Sequence, residues 1–153
     1  MKVLFFEPPP QKRIGGLNAA TRGLEQALAG VGIKVQSDLP EENDGEVVAH
    51  FHGLWEPRFP ALARELRNRK IPYVVSPHGM LEPWAWSHKW WKKWPYYYAI
   101  ERPWLRRAGC LLATGSGEAH RLHEFFPKGR VDFLPLGLTG TVGPDYENAR
   151  TGL

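Results

Sequence analysis

Short apolar runs alternate with segments of helical periodicity along the chain, and this alternation constrains the fold more than any other feature. Lys2–Phe6 predicts a buried strand, and apolar residues then recur at helical spacing from Leu17 to Val31. The pattern continues with strands predicted at 33–35, 47–51, 71–75, 109–114 and 131–134, and helices at 61–69 and 118–126. Such alternation predicts an α/β fold, doubly wound, whose mostly parallel sheet is covered on both faces.

Chain length and cysteine content limit the domain count and the compartment. At 153 residues the chain can bury one good core, so a single domain is expected. Its one cysteine, Cys110, cannot form an intrachain disulfide. The apolar run at Val3–Phe6 ends at three prolines and is too short for a signal peptide or a membrane span. We therefore expect a cytoplasmic protein.

The unusual residues of the sequence lie at the predicted strand ends, as Gly15-Gly16, His52-Gly53, His78-Gly79 and Thr114-Gly115-Ser116. Open parallel sheets bind ligands beyond the carboxyl ends of their strands. These four sites therefore mark the candidate active face.

A glycine pair precedes the first predicted helix. Gly15 and Gly16 allow positive φ, and a helix N-terminus with Arg13 nearby suits a diphosphate. A plain tight turn is the alternative, since the segment matches neither the dinucleotide fingerprint nor the P-loop.

Histidines suggest either a metal site or a hydrogen-bonded cluster. His50 and His52 alternate onto one strand face, and His78 ends another strand, so three imidazoles are expected to converge. No cysteine or acidic residue lies near them at ligand spacing, which disfavours zinc. His120 and His123 receive the same interpretation, and Gly115-Ser116-Gly117 lacks the spacing of a hydrolase elbow.

Tryptophan and lysine are interleaved from Trp84 to Tyr98. This composition is typical of a membrane interface or a sugar-stacking surface, and we expect Pro95 to break the helix. Packing of the rings against the sheet is an equally weighted alternative. The net charge of +4 is concentrated here, away from the acidic 41–46 segment, so nucleic-acid binding is not expected. The residues assigned to membrane contact are Trp86, Lys89, Trp90, Lys92 and Lys93.

Four stretches of the sequence stand out together: Gly15-Gly16-Leu17, the HFHGLW run at 50–55, the IPYVVSPHGMLEPW run at 71–84 and the TGSGEA run at 114–119. In this order and spacing they resemble the N-terminal domain of family 4 retaining glycosyltransferases of the GT-B fold. The run at 71–84 is the most specific of the four. The resemblance covers residues 1–138 and implies one Rossmann-like domain, with 139–153 as a tail or truncated interdomain linker.

By this resemblance, each strand-end motif has a role in sugar transfer from a nucleotide-sugar to a glycan or lipid-linked acceptor. His78 would be the catalytic residue, reaching the donor sugar, and Gly15, Gly16 and Arg13 would bind the donor diphosphate. No cofactor and no metal are implied. The acceptor cleft would be shaped by His52, Trp55, Met80, Glu82 and Trp84.

The sequence departs from the family in its final segment. The family usually has Pro-Asn-Gly at the crossing into its second domain, where this chain has Pro135-Leu136-Gly137. The second domain carries the nucleotide pocket and a spaced pair of glutamates, and Thr139–Leu153 contains neither. We therefore expect this half to be inactive alone. A two-chain enzyme and a non-catalytic glycan- or membrane-binding module, peripheral to the inner membrane face, are the alternatives.

A further expectation concerns surface left by an absent second domain. An exposed patch around Gly15-Gly16, His52 and His78 is expected to drive self-association.

Overall fold

The computed structural model of the protein describes residues 1–12, 16–40, 46–87 and 90–135, with the side chains of Lys12, Trp86 and Trp90 excepted. Six strands form one sheet, in the order β2-β1-β3-β4-β5-β6, and every neighbouring pair is parallel. The strands are β1 Lys2–Phe6, β2 Lys34–Gln36, β3 Val47–His52, β4 Tyr73–Ser76, β5 Cys110–Ala113 and β6 Val131–Phe133. This arrangement confirms the predicted α/β class and its parallel sheet.

Helices follow β1, β3, β4 and β5, as the sequence pattern predicts, whereas no helix is seen in the described residues between β2 and β3. The chain forms a 3-10 turn at Pro10–Lys12 and a π-helix at Tyr97–Glu101. The α-helices are α1 Leu17–Gly30, α2 Phe59–Asn68, α3 Pro83–Ser87, α4 Trp90–Tyr96, α5 Arg102–Leu105 and α6 Ser116–Phe125. In the part of the chain that is described, none of these helices has the length and apolar character needed to cross a bilayer.

Alternating residues of β3 face the two sides of the sheet, because successive side chains of a strand point in opposite directions. On one side the Phe51 ring packs edge-to-face with Phe59 of α2 and with Trp104 of α5. On the other side His50 and His52 line a cavity whose opposite wall is α1. The sheet is therefore covered on both faces, and its polar residues are sorted onto the α1 side.

The crossover from β4 to β5 differs from its prediction. Pro95 lies inside α4 and does not end it, so the expectation of a helix break was wrong. A proline within a helix removes one backbone donor and crowds the carbonyl four residues earlier. The π-helix at Tyr97–Glu101 follows directly, and its wider turn accommodates the disturbed hydrogen bonding within a continuous helical run.

Predicted boundaries agree with the structure to within about two residues at most element ends. The second strand lies at Lys34–Gln36 instead of 33–35, and α6 begins at Ser116 because the preceding Gly115 is extended. The acidic connector at 41–45 lies outside the described residues.

Candidate active site at the carboxyl edge of the sheet

A cavity of about 200 Å³ lies between α1 and the carboxyl ends of β3, β4 and β5. Its floor is polar and its α1 wall is apolar or small. The lining residues are Ala20, Gly23, Leu24, Ala27, His50, His52, Ser76, His78, Thr114, Leu134 and Pro135.

Three histidines converge in this cavity, as the strand alternation predicts. The Nδ1 atom of His52 lies 3.3 Å from Nε2 of His78. The rings of His50 and His52 are 3.9 Å apart between centroids, and Nε2 of His50 is 2.7 Å from the Ser76 hydroxyl oxygen. Parallel register explains the meeting, because His52 lies opposite Ser76 and His78 follows two residues later. The cluster therefore joins the ends of two adjacent strands.

Burial keeps these imidazoles neutral. It lowers the pKa of His50 to about 3, with a smaller contribution from His78. Burial likewise holds the pKa of His52 well below its ordinary value. For His78 burial lowers the pKa, whereas the carboxylates of Glu118 and Glu7 act in the opposite direction. Neutral rings each present one donor and one acceptor nitrogen, which suits hydrogen bonding to hydroxyl groups.

One atom of the cluster is buried without a partner. Among the described residues, Nε2 of His52 has no hydrogen-bond partner, although the side chain is only 2% exposed. A buried polar atom left unpaired is destabilising by about 1–3 kcal/mol. Because His52 also lines the cavity, this nitrogen is a candidate contact for a polar group of a bound molecule.

The turn that carries His78 is left-handed and is held by a buried carboxylate. His78 has φ 53° and Gly79 has φ 73°, and the left-handed region is unfavourable for a histidine. The Gly79 N–H donates to Oε1 of Glu118 at 2.6 Å. The other oxygen of Glu118 accepts hydrogen bonds from the Thr114 N–H at 2.8 Å and the Thr114 hydroxyl at 2.9 Å. Glu118 thus ties the end of β4 to the end of β5.

Sequence reasoning included Glu118 in a motif without giving it this function. Glu118 lies three residues after the extended Gly115, which caps α6, and a glutamate at this position commonly hydrogen-bonds to backbone N–H groups at the start of its own helix. This spacing is a local sequence signal for a bond near Thr114. The bond to Gly79 joins residues 39 positions apart and has no local signal.

A second left-handed turn follows β3. Trp55 has φ 65°, and its N–H donates to Oε1 of Glu101 at 3.1 Å. The other oxygen of Glu101 accepts from the Trp104 indole at 2.9 Å. Glu101 is fully buried, and this burial raises the pKa of its carboxyl group to about 7. The sequence analysis did not single out this glutamate.

The residues predicted to shape the acceptor cleft lie in different environments. Met80 is buried, and its sulfur lies 3.0 Å from the Leu54 backbone nitrogen, which donates to it. Gly53 has φ 86°, and a Cβ there would lie 3.0 Å from the Met80 methyl group, so a side chain at this position would be strained and would crowd Met80. Trp55 and Glu82 are half-buried and Trp84 is exposed. Of the five predicted cleft residues, these three offer accessible surface.

The predicted diphosphate site is described only in part, because Arg13 and Gly15 lie outside the described residues. Gly16 precedes α1 with φ −70°, so it does not use the positive φ that the sequence suggested. Its carbonyl accepts the Ala20 N–H at 3.0 Å, and α1 begins at the next residue.

The described histidines do not form a metal-ligand cluster. Over the residues described, no group of three or more His, Cys, Asp or Glu side chains is arranged to hold a metal ion. His120 is exposed on α6, with its Nε2 atom 3.6 Å from a carboxylate oxygen of Glu124, and His123 is also exposed.

The tryptophan-rich segment is exposed where it is described. Trp84, Trp91 and Trp94 are 66%, 60% and 55% exposed, so the core-packing alternative is wrong for these three rings. The backbones of Trp86 and Trp90 lie in α3 and α4, their side chains are not among those described, and Lys89 lies outside the described residues.

The two described lysines of this segment differ. Lys92 is exposed, with its ammonium nitrogen 4.7 Å from the centroid of the Trp91 ring. Lys93 is half-buried, donates to the Ala85 carbonyl, and lies 5.6 Å from the Trp55 ring. Lys93 is therefore partly engaged within the protein, and its contact with a membrane stays a prediction.

The exposed patch predicted at the strand ends is also corrected. His52 is buried because the ring of Phe5, at 4.6 Å, and those of His50 and His78 surround it. The large apolar side chains exposed in the described chain include Trp84, Trp91, Trp94, Tyr98 and Ile100, all in the crossover from β4 to β5.

Comparison with protein families identifies the domain. The family model described as a glycosyl transferase 4-like domain matches residues 7–137, which is most of the chain and includes every element from α1 to β6. No curated protein matches the chain.

Proposed function

The chain belongs to the glycosyl transferase 4-like domain family, and on that premise we propose that it is the N-terminal, acceptor-side half of a retaining GT-B glycosyltransferase. The donor would be a nucleotide-sugar and the acceptor a glycan or a lipid-linked glycan. The observation that carries the proposal is the strained His78 turn beside the cavity. Left-handed residues other than glycine persist where the surrounding structure enforces them, and they cluster at functional sites.

In this proposal His78 hydrogen-bonds a hydroxyl group of the donor sugar and orients its reacting carbon. The neutral ring suits this role, because it needs no counter-charge in a buried site. His52 supports His78 through the 3.3 Å contact between their ring nitrogens. Gly16 and the first N–H groups of α1, with Arg13 and Gly15, would face the donor diphosphate, since a helix N-terminus attracts anions.

The acceptor would contact Trp55, Glu82 and Trp84, which offer accessible surface. Trp55 and Trp84 present ring surface on which a sugar face can stack, and Glu82 presents a carboxylate for sugar hydroxyl groups. Met80 acts from below, by fixing the Gly53-Leu54 turn through its contact with the Leu54 N–H. Residues 1–138 form the domain in this proposal, and 139–153 serve as tail or interdomain linker.

The nucleotide would be bound by a donor-side domain, in the same or a separate chain. We therefore expect no transfer by residues 1–153 alone. Joined to the donor-binding domain of a family member, the protein should transfer sugar, and His78→Ala should lower the rate at least about 100-fold, the scale of a lost positioning contact. His120→Ala is the matched control, since His120 is exposed on α6, and its rate should equal that of the parent. Robust transfer by the isolated chain, or an active His78→Ala fusion, would refute the assignment.

A membrane-binding role is a second candidate, favoured by the exposed indoles of Trp84, Trp91 and Trp94. Tryptophan side chains partition into the headgroup region of a bilayer, where lysines gain energy from anionic lipids. Peripheral attachment to the inner membrane face would also bring the protein to a lipid-linked acceptor. Self-association through the same exposed rings is the competing use of this surface, and light scattering at high protein concentration distinguishes the two.

A further inference from the structure

Five residues form one stripe along the crossover from β4 to β5, which we name the crossover stripe: Trp91, Trp94, Tyr98, Arg102 and Arg106. They recur every three or four residues, the spacing of one helix face. Contacts confirm the alignment, since the Trp94 and Tyr98 rings are 4.6 Å apart and the Arg102 guanidinium lies 5.5 Å from the Tyr98 ring. The aromatic half begins in α4 and the cationic half lies at α5.

Two grooves meet at the cationic end of the crossover stripe. The first, about 260 Å³, is lined by Arg102, Arg106, Lys128 and Arg130 together with apolar residues that include Phe125. The second, about 380 Å³, is lined by Tyr98, Arg102, Pro103, Arg106 and Arg107. Both grooves therefore share Arg102 and Arg106, and no carboxylate lines either one.

The cations of these grooves are largely uncompensated. Arg130 pairs with Asp132 at 3.0 Å, whereas Arg107 donates to the Pro103 carbonyl and to no carboxylate of the described residues. In the described part of the chain, no carboxylate lies within ion-pair distance of Arg102, Arg106 or Lys128. The nearby Glu101 is fully buried and bound to Trp55 and Trp104. A cluster of unpaired guanidinium groups is suited to phosphate oxygens, which it can bind in bidentate fashion.

We propose that the crossover stripe docks on an anionic phospholipid surface, with the Arg102–Arg106 grooves receiving headgroup phosphates and Trp91, Trp94 and Tyr98 entering the headgroup layer. This inference rests on the membrane contact proposed above and adds cations to it. The sequence placed the cations at Lys89, Lys92 and Lys93; of these, the half-buried Lys93 donates to the Ala85 carbonyl, whereas Lys92 is exposed.

A lipid fits this surface better than a free phosphate does. Trp91, Trp94, Tyr98 and Ile100 are each at least 40% exposed and continue directly from the cations. A free phosphate would use the arginines and leave these apolar groups in water, whereas a bilayer covers both. Charge complementarity and apolar continuity therefore point to the same partner.

The test is co-sedimentation of the whole protein with phosphatidylserine-containing vesicles, using phosphatidylcholine vesicles as reference. Each cation near an anionic surface strengthens binding about fivefold, so Arg102→Gln/Arg106→Gln should bind about 30-fold more weakly at low salt. The matched control is Arg22→Gln/Lys34→Gln, which removes two exposed cations from α1 and β2. It should bind as the wild-type protein does. Trp91→Ala/Trp94→Ala should lose binding at every salt concentration, because its contribution is apolar.

Several results would overturn the proposal. Equal losses in the arginine variant and the control would show diffuse charge attraction and no site, while leaving the membrane contact intact. If the wild-type protein binds no vesicle, both the arginine site and the membrane contact are refuted. The glycosyltransferase proposal is tested separately, by the transfer assay. Tight calorimetric binding of inorganic phosphate without vesicle binding would assign the grooves to a free anion. If Arg102→Gln lowers the melting temperature of the protein, the vesicle test is made with the double variant Arg106→Gln/Lys128→Gln, because both of these side chains are exposed.

Discussion

Removing the Glu118 carboxylate should both destabilise the domain and disturb His78. Three hydrogen bonds converge on this side chain, from the Gly79 N–H, the Thr114 N–H and the Thr114 hydroxyl. Hydrogen bonds to a charged group contribute about 1.5–3 kcal/mol each. Since all three are only part-buried, water will replace some of that loss. We expect Glu118→Ala to lower the free energy of unfolding by about 3–4 kcal/mol, a large fraction of the roughly 5–15 kcal/mol typical of a domain.

The Glu118→Gln variant separates charge from shape. Its amide oxygen can still accept one or two hydrogen bonds, but its NH₂ group would face a backbone donor, so we expect a loss of about 2 kcal/mol. The carboxylate also acts to raise the pKa of His78 against the effect of burial. Its removal should therefore lower the pKa of His78 further.

Urea denaturation gives the stability change, and NMR titration of the histidine ring protons gives the pKa. Glu124→Gln is the control on the same helix, because Glu124 is exposed and its pairs with Arg121 and His120 are surface contacts. It should change stability by less than about 0.5 kcal/mol. Two results would refute this role of Glu118 in joining the ends of β4 and β5. One is a free energy of unfolding for Glu118→Ala within about 1 kcal/mol of the wild-type value, and the other is an unchanged pKa of His78 in Glu118→Gln.

Two further predictions concern pH. Burial lowers the pKa of His50 to about 3, so the unfolded chain binds a proton at this histidine at higher pH than the folded chain does, and the free energy of unfolding must fall as pH drops below about 6.5. The loss from this group reaches about 2 kcal/mol at pH 5. In urea titrations at a series of pH values, His50→Gln should make the free energy of unfolding depend less on pH. Glu101 has the opposite sign, since burial raises its pKa to about 7 and ionisation then costs stability as pH rises. Glu101→Gln should be less stable than wild type near pH 5 by about 1–2 kcal/mol, and this gap should close toward pH 8; a constant gap would contradict the buried ionisation.

The parallel sheet and the histidine cluster could be predicted from the sequence because both depend on short-range patterns. Strand alternation places His50 and His52 on one face, and the parallel register of β3 with β4 then brings His78 to them. The glutamate contacts could not be predicted. Glu118 meets Gly79 across 39 positions and Glu101 meets Trp55 across 46, so the sequence near either partner carries no sign of the other.

The tryptophan segment shows a different limit of sequence reasoning. Its periodicity fits a buried face and an exposed one equally well, because tryptophan is suited to both environments. Only the tertiary contacts decide, and they bury Trp104 while leaving Trp91 and Trp94 exposed. Pro95 was misjudged because the rule for isolated helices ignores the π-helix that follows it.

The two buried glutamates perform the same task at the ends of adjacent strands. Each binds the N–H of a turn that contains a left-handed residue, Glu101 at Trp55 and Glu118 at Gly79, next to His78. Neither carboxyl group lines the cavity beside His78. The described walls of that cavity are uncharged, because burial favours the neutral form of its three histidines and its other lining residues carry no charge.

An uncharged cavity has a direct consequence for the proposed reaction. Hydrogen bonds from neutral imidazoles can select and orient a sugar, but they contribute little to stabilising the charge that develops on a departing diphosphate. In the proposed site that stabilisation would come from the N-terminus of α1, a partial charge of about one half, and from the full positive charge of Arg13. We expect further cations from the proposed donor-side domain. The electrostatics of the cavity give a second reason to expect inactivity of the isolated chain: without those cations, the barrier for departure of the diphosphate should remain high even at a high concentration of nucleotide-sugar.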